Sequence, residues 1–384
     1  MKLITPAKPK KEEKLIDVGF NVYKFNNRPR PTDPKKVVII GSFSEFGCET
    51  VSILYSIPKI LEQHPGRYFI VMGWYGREFL YRHLVDEFWE IKEEYQWLRE
   101  HARAFYHVSD NLKELEKKAG QYGRVYPSQY LAIPIIMDRC HCGQMWAYSD
   151  NKEACPKCGK TEFAEGIFKD VQFWKRLAIK LPPPSMAKLL RGKNYTKGNS
   201  VGIFARGRKT YGRNLEPDFY IKLIALVREL GYEPIWLGEK QSTQPCPVDD
   251  VVDFSRLDES KDLELTFAIV RQCRFTIQFW TASSRIAGMQ GVPYLLFESP
   301  DQIWGMGQEG IRRNLCDFGP SKLCVSHYLN VAENSDAGIA LVRRCIEEMK
   351  QNNYEDVFGL LENEMVAKDM RQKNFQRIGT IINL

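Results

Sequence analysis

Val201-Gly-Ile-Phe-Ala205, followed at once by Arg206-Gly207-Arg208-Lys209, is the stretch from which the fold can be read. A short apolar run that stops on a basic, glycine-containing loop has the length of a buried strand. From Pro217 to Leu230 the apolar residues recur at helical spacing. Gly231 stops that helix, Glu233 to Leu237 reads as a second strand, and Gly238 ends it. A third unit has strand Phe275 to Phe279, the small polar turn Trp280-Thr281-Ala282-Ser283-Ser284 and helix Arg285 to Gln290. Gly291-Val292-Pro293 then leads into strand Tyr294 to Phe297, which closes on Glu298. Apolar runs alternating with helical patterns predict βαβ units and a parallel sheet. Ligands of such sheets sit outside the carboxyl ends of the strands.

Those strand ends carry chemistry. Arg206, Arg208 and Lys209 follow one strand, Ser283 and Ser284 open a helix after another, and Glu298 closes a third. Free N–H groups and small hydroxyl residues at a helix start suit phosphate, and guanidinium groups add charge-assisted, often bidentate contacts. A carboxylate at a strand end can accept hydrogen bonds from both hydroxyls of a ribose. Together they predict a pocket for a nucleoside diphosphate. The plainer alternatives are a solvated basic loop, a serine helix cap and an acid placed at a strand end by chance.

With Val201 to Arg208, Trp280 to Val292 including Gly-Val-Pro, and Glu298 in this order, the chain resembles the nucleotide-binding half of GT-B glycosyltransferases. The resemblance covers roughly the C-terminal half and, more weakly, the start of the N-terminal half. It implies two Rossmann-like domains, a nucleotide-sugar donor and an acceptor hydroxyl held between the domains. It also implies that Ser283 and Ser284 face the diphosphate and that Glu298 binds the ribose. The chain lacks the paired glutamates of many retaining members, so the resemblance does not fix the anomeric outcome.

The 384 residues suffice for two domains with proper cores, and 43% hydrophobic and 12% aromatic content marks a globular chain. A net charge of +7 permits a polyanionic partner without requiring one. No apolar run approaches the length of a membrane span and no signal-peptide core opens the chain, so a cytoplasmic location is expected. Residues 1–36, rich in Lys and Pro, read as a basic lead segment.

Val37 to Ile40 reads as the first strand of the N-terminal half, followed by Gly41 to Glu49 as a loop and a helix from about Thr50 to Gln63. The loop lacks the GxGxxG pattern of a dinucleotide site. In GT-B enzymes this loop often supplies acceptor contacts or the catalytic base, which makes Glu49, then Glu45, the candidate bases. The alternative for either is an acid that complements a helix N-terminus. Arg67 to Trp74 reads as a strand and Val85 to Lys118 as charged helix, with its aromatic residues as core.

Ten cysteines are present, and four cluster. Cys140-His-Cys142-Gly and Cys155-Pro-Lys-Cys158-Gly stand twelve residues apart. Four thiolates suit tetrahedral Zn²⁺, and a glycine after each pair lets backbone amides turn toward sulfur. A closed four-cysteine site has no vacant position, so the zinc is expected to be structural, folding a ribbon of about residues 137–165 that has too little core of its own. Trp146, Tyr148, Lys152, Lys157 and Lys160 would suit DNA or RNA, although a stabilising flap is the simpler role.

Leu181-Pro-Pro-Pro184 bars regular structure and marks a boundary. The expected architecture is therefore α/β, with two Rossmann-like domains (GT-B) and a zinc-ribbon insertion. The N-terminal domain covers 37–184 and the nucleotide-sugar domain 185–365, with a helix in 366–384 crossing back. The expected activity is metal-independent transfer of a sugar to an acceptor hydroxyl, a modified DNA base being one candidate acceptor. A catalytically inactive nucleic-acid-binding protein and a nucleotide-sugar epimerase are the alternatives.

Overall fold

The computed structural model describes residues 19–44, 46, 49–95, 110–128, 131, 137–139, 145–147, 157–159, 181, 183–207, 214–279, 284–290, 292–298, 324–328 and 335–351. The chain divides into two compact units, Met1–Val171 and Gln172–Leu384.

The first unit is built on strands β1 (Phe20–Lys24), β2 (Val37–Ser42), β3 (Tyr68–Gly73), β4 (Glu87–Ile91) and β5 (Arg124–Tyr126), in the spatial order β1-β4-β3-β2-β5. β2, β3, β4 and β5 run parallel, and β1 pairs antiparallel with β4. Every residue of β2 and β3 is buried, as a parallel sheet covered on both faces demands. A π-helical turn, Glu49–Ile53, leads into α1 (Leu54–Gln63). α2 (Glu78–Tyr81) and α3 (Asp110–Ala119) follow β3 and β4.

One sequence expectation changes here. Within the basic lead segment, residues 19–36 pack on the first unit: β1 lies in the sheet, Asn26 donates to Asp86 at 2.8 Å, and Arg30 pairs with buried Glu87 at 2.6 Å while lying over the Trp89 ring. Residues 87–91, expected as helix, form β4. Glu87 and Glu90 stand three apart like a polar helix face, but both are buried acceptors. Glu87 takes Tyr68 and Trp89 as donors besides Arg30, and Glu90 takes Asn21, Tyr23 and the Gly76 amide. Phe88 and Trp89 are core, as expected. The same unit contains the hairpin of β6 (Met137–Arg139) and β7 (Met145–Ala147).

The second unit begins with α4 (Met186–Gly192) and β8 (Ser200–Phe204). It continues through α5 (Pro217–Glu229), β9 (Glu233–Leu237), β10 (Val252–Asp253), α6 (Leu263–Gln272) and β11 (Phe275–Phe279). α7 (Ser284–Met289), β12 (Tyr294–Glu298), β13 (Cys324–Tyr328) and α8 (Ser335–Gln351) complete it. All six strands run parallel in the order β10-β9-β8-β11-β12-β13. One face of the sheet presents Val201, Ile203, Trp236, Phe275, Ile277 and Phe279 to Phe219, Tyr220 and Leu223 of α5 and to Val342 and Ile346 of α8. Tyr220 packs edge-on to Trp236 and Phe279 at 5.1 and 5.5 Å, geometry that contributes about 0.5–1.5 kcal/mol per pair beyond area burial. Pro at the first position of α5 and Asp262 capping α6 set where those helices start.

The expected boundary near residue 184 falls thirteen positions after the division at 171/172. The helix expected in 366–384 lies outside the described residues.

Candidate functional site

The strand order of the second unit fixes where a ligand can sit. From β8 the chain moves through α5 to β9 on one side, whereas β11 enters beside β8 on the other and leads on to β12. This is the order of a complete dinucleotide-type sheet, and its direction reverses between β8 and β11. In open parallel sheets of this order, ligands bind outside the carboxyl ends of the strands at such a reversal.

Three of the expected residues stand at these ends. Arg206 lies two residues beyond β8, Ser284 is the first residue of the helix that follows β11, and Glu298 is the last residue of β12. β11 lies between β8 and β12 in the sheet, so the three belong to adjacent strand ends. For Ser284 and Glu298 the backbone alone is described. Arg208, Lys209 and Ser283 lie outside the described residues.

Arg206 is held closely. It bridges Thr243 in antiparallel fashion, and the amide of Gly207 donates to the Ser242 carbonyl at 2.8 Å. A Cβ at Gly207 would run into the backbone of Thr243 and Gln244, so only glycine permits this approach. Gly238, which ends β9, has φ +129, a value L side chains rarely adopt, and thereby starts the loop that returns to Thr243. Arg206 is only 6% exposed, so the solvated-loop alternative does not describe it. A buried guanidinium is costly unless anions accompany it. Beneath it lies Tyr220, whose hydroxyl is pushed far above the usual phenol range by burial and is drawn partly back by Arg206. Thr243 and Gln244 carried no sequence signal, because their part depends on a strand end forty positions earlier.

The first unit has its own reversal point, between β2 and β5. Beyond β2, Glu49 is wholly buried. Its Oε1 accepts from Tyr81 at 2.7 Å and from Ser42 at 3.1 Å, and its Oε2 lies 3.6 Å from Nε of Arg77. Arg77 is itself 2% exposed and stacks over Phe46. Burial, and then the charge of Glu49, raise the Tyr81 hydroxyl well above its ordinary value. Glu49 is thus tied into the base of the loop, and Glu45 lies outside the described residues. Glu116 of α3 completes this end by accepting from both the amide and the hydroxyl of Ser128, which in turn accepts from the Phe43 amide at 2.9 Å. Desolvation pushes the Glu116 carboxyl up to about 7, against the opposing hydrogen bonds from Ser128.

Of the four clustered cysteines, Cys140, Cys142 and Cys155 lie outside the described residues. Among the described residues no group of His, Cys, Asp or Glu could hold a metal. What is described frames the cysteines. Arg139 pairs with Met145, so β6 and β7 bracket Cys140 to Gln144, and Gly159 after Cys158 has φ +70. Among the described residues no helix is long and apolar enough to cross a membrane.

The fold is thus α/β, with two units built on mainly parallel sheets, in each of which the strand order reverses once. No protein-family model matches the chain, and no curated protein matches it. Among solved structures it is similar to a family 9 glycosyl transferase from Veillonella parvula, with 12% identity and a TM-score of 0.44 over 90% of this chain and 99% of that one. It is also similar to the E. coli ADP-heptose LPS heptosyltransferase II, with 11% identity and a TM-score of 0.42 over 79% of this chain and 98% of that one. The E. coli heptosyltransferase WaaC, solved with ADP, gives 12% identity and a TM-score of 0.41 over 81% and 99%. These similarities are distant.

Proposed function

We propose that the chain is a glycosyltransferase that takes a sugar from a nucleoside diphosphate donor and passes it to an acceptor hydroxyl. The observation that supports this reading is the position of Arg206, Ser284 and Glu298 in the chain, each at or just beyond the carboxyl end of one of three adjacent strands of the second sheet.

In this reading Arg206, Arg208 and Lys209 stabilise the negative charge that builds on the departing diphosphate. Ser283 and Ser284 donate to its phosphates, and Glu298 accepts from the ribose hydroxyls. As the sugar–acceptor bond forms, the acceptor hydroxyl loses its proton to a carboxylate. Glu45 is proposed as that base. Glu49, enclosed by Ser42, Tyr81 and Arg77, holds the stem of the loop on which Glu45 stands. No metal takes part in this transfer. Cys140, Cys142, Cys155 and Cys158 are proposed to bind one structural zinc ion, a reading supported by the hairpin around the first pair and the left-handed glycine after the second.

Calorimetric titration of the full chain with ADP, UDP, GDP and CDP tests the donor half. At least one is expected to bind, and Arg206→Ala to weaken it about tenfold or more, the scale of a charge-assisted contact. Absence of binding by all four would contradict the reading. Incubation with nucleotide sugars, with and without DNA carrying hydroxymethylated bases, separates the acceptors. Conversion of the sugar without any acceptor would identify an epimerase, and DNA binding without turnover an inactive binding protein.

A further inference from the structure

The amino ends of three neighbouring strands in the first unit carry a row of cations. β3, β2 and β5 lie side by side and run parallel. Arg67 immediately precedes β3, Lys35 and Lys36 immediately precede β2, and Arg124 opens β5. The register sets them at one edge of the sheet, because Val37 pairs with Tyr68 and Val38 with Arg124. Strands stand about 4.8 Å apart, so the row runs roughly 10 Å across that edge.

Hydrogen bonds and ring contacts fix the row in place. The Arg67 guanidinium donates to the Lys35 carbonyl at 2.5 Å, and the Arg67 amide donates to the His64 carbonyl at 3.2 Å. Nε2 of His64 shares a hydrogen bond of 2.6 Å with the Tyr126 hydroxyl, and Arg124 lies over the Tyr126 ring, 5.3 Å from its centre. The imidazole is held below its usual range by burial and then by the charges of Arg124 and Arg67, a sign that both cations stand near it.

Other cations at this end of the sheet are neutralised. Lys24 and Arg30 pair with Glu87, and Arg28 pairs with Asp86. Among the described residues, Lys35, Lys36, Arg67 and Arg124 make no ion pair. Asp33, the acid beside them in the chain, accepts from the Lys35 amide at 3.0 Å and caps the turn before β2. Like charges set side by side repel one another, and an anion laid along them relieves that repulsion.

We propose that this edge is a docking site for a nucleic acid strand, held through its phosphates and not through its bases. A strand carries one charge per about 3.4 Å of helix axis, so a row of roughly 10 Å meets about three phosphates. Arg67 and Arg124 present planar forks to phosphate oxygens, and Lys35 and Lys36 add point charges. A single row suits a linear polyanion. A lipid surface is met by apolar side chains as well as cations. The exposed large apolar side chains described in this unit, Val22, Tyr23 and Tyr75, lie instead on the edge strand β1 and beyond the carboxyl end of β3. The row stands at the opposite end of β2 from Glu49, and its chemistry holds whether or not the chain transfers a sugar.

Fluorescence anisotropy of a labelled single-stranded DNA of mixed sequence, titrated with the full-length chain over a series of salt concentrations, tests the proposal. Wild type is expected to bind, and Arg67→Gln/Arg124→Gln to bind about tenfold more weakly at low salt. Each phosphate contact contributes about −0.7 to the slope of log K against log salt, so this double variant should flatten the slope by about 1.4. Should it lose its cooperative melt, Lys35→Gln/Lys36→Gln, whose side chains are exposed, carries the comparison. Lys193→Gln/Lys197→Gln removes the same charge from exposed positions of the second unit and is expected to leave the affinity near that of wild type.

Absence of binding by wild type would overturn the proposal. So would an equal loss in the second-unit variant, which would mean that net charge alone attracts the strand. Vesicles of phosphatidylserine and phosphatidylcholine complete the comparison, and capture by these without binding to the DNA would make the edge a lipid contact and overturn it as well.

Discussion

Tyr81 and Glu49 meet inside the first unit, the phenol donating to the carboxylate at 2.7 Å with both side chains wholly buried. The pair lies where the chain leaves β2, and Arg77 supplies the countercharge 3.6 Å away. Tyr81→Phe removes one donor and leaves Ser42 in place, so a loss of about 1 kcal/mol is expected. Glu49→Ala takes the carboxylate from beside a buried guanidinium and is expected to cost about 3–5 kcal/mol. Urea denaturation measures both. If Glu49→Ala abolished turnover while leaving stability intact, Glu49 would be the base and not the anchor.

Glu116 gives the stability a pH dependence. Its carboxyl lies at about 7 in the fold against an ordinary 4.5, so the folded state holds a proton that the unfolded chain releases. Stability from this group is fully present below about pH 4.5 and is lost as pH rises through about 7, a change of about 3 kcal/mol at 1.4 kcal/mol per pH unit. Glu116→Gln keeps the acceptor for Ser128 and cannot ionise. The unfolding free energy of wild type is expected to fall between pH 5 and 8.5 relative to that of Glu116→Gln, and parallel curves would exclude this assignment.

Gly207→Ala places a methyl group against the backbone of Thr243 and Gln244. Backbone cannot yield as a flexible side chain does, so a loss of about 1–3 kcal/mol is expected. Diphosphate affinity should fall with it, because Arg206 is adjacent. Gly198→Ala, where a Cβ meets nothing within 4 Å, serves as the comparison and is expected to change the melting temperature little.

Much of the second sheet was legible in the sequence, because its strands are apolar runs ended by glycine or a polar turn. β9 and β11 fall at Glu233–Leu237 and Phe275–Phe279 as read. β10, with two residues, has no periodicity to read. β1 and β4 were hidden for another reason. Their polar residues satisfy one another across the sheet, as Asn21 and Tyr23 do with Glu90, and such partners, more than sixty positions apart, leave no local pattern. The site divided in the same way. The strand-end positions of Arg206 and Glu298 were legible because apolar runs stop there, whereas the Arg206 and Leu215 carbonyls that Gln244 joins are brought together only in the fold.

Metal analysis addresses the cysteine cluster. One zinc ion per chain is expected, and Cys140→Ser or Cys158→Ser should lose it. Chelation should destabilise residues 137–165 by an amount seen as faster proteolysis there, with the second unit unaffected. A chain that purifies without zinc and takes none up would remove the ribbon from the account.

The measurement that reaches the centre of the account is release of nucleoside diphosphate from a panel of nucleotide sugars by wild type and by Arg206→Ala. The account predicts release from at least one donor in the presence of its acceptor, and a fall of about a hundredfold or more in kcat/KM for the variant, about 2.7 kcal/mol of transition-state stabilisation. No release from any donor, or release that Arg206→Ala leaves unchanged, would contradict it.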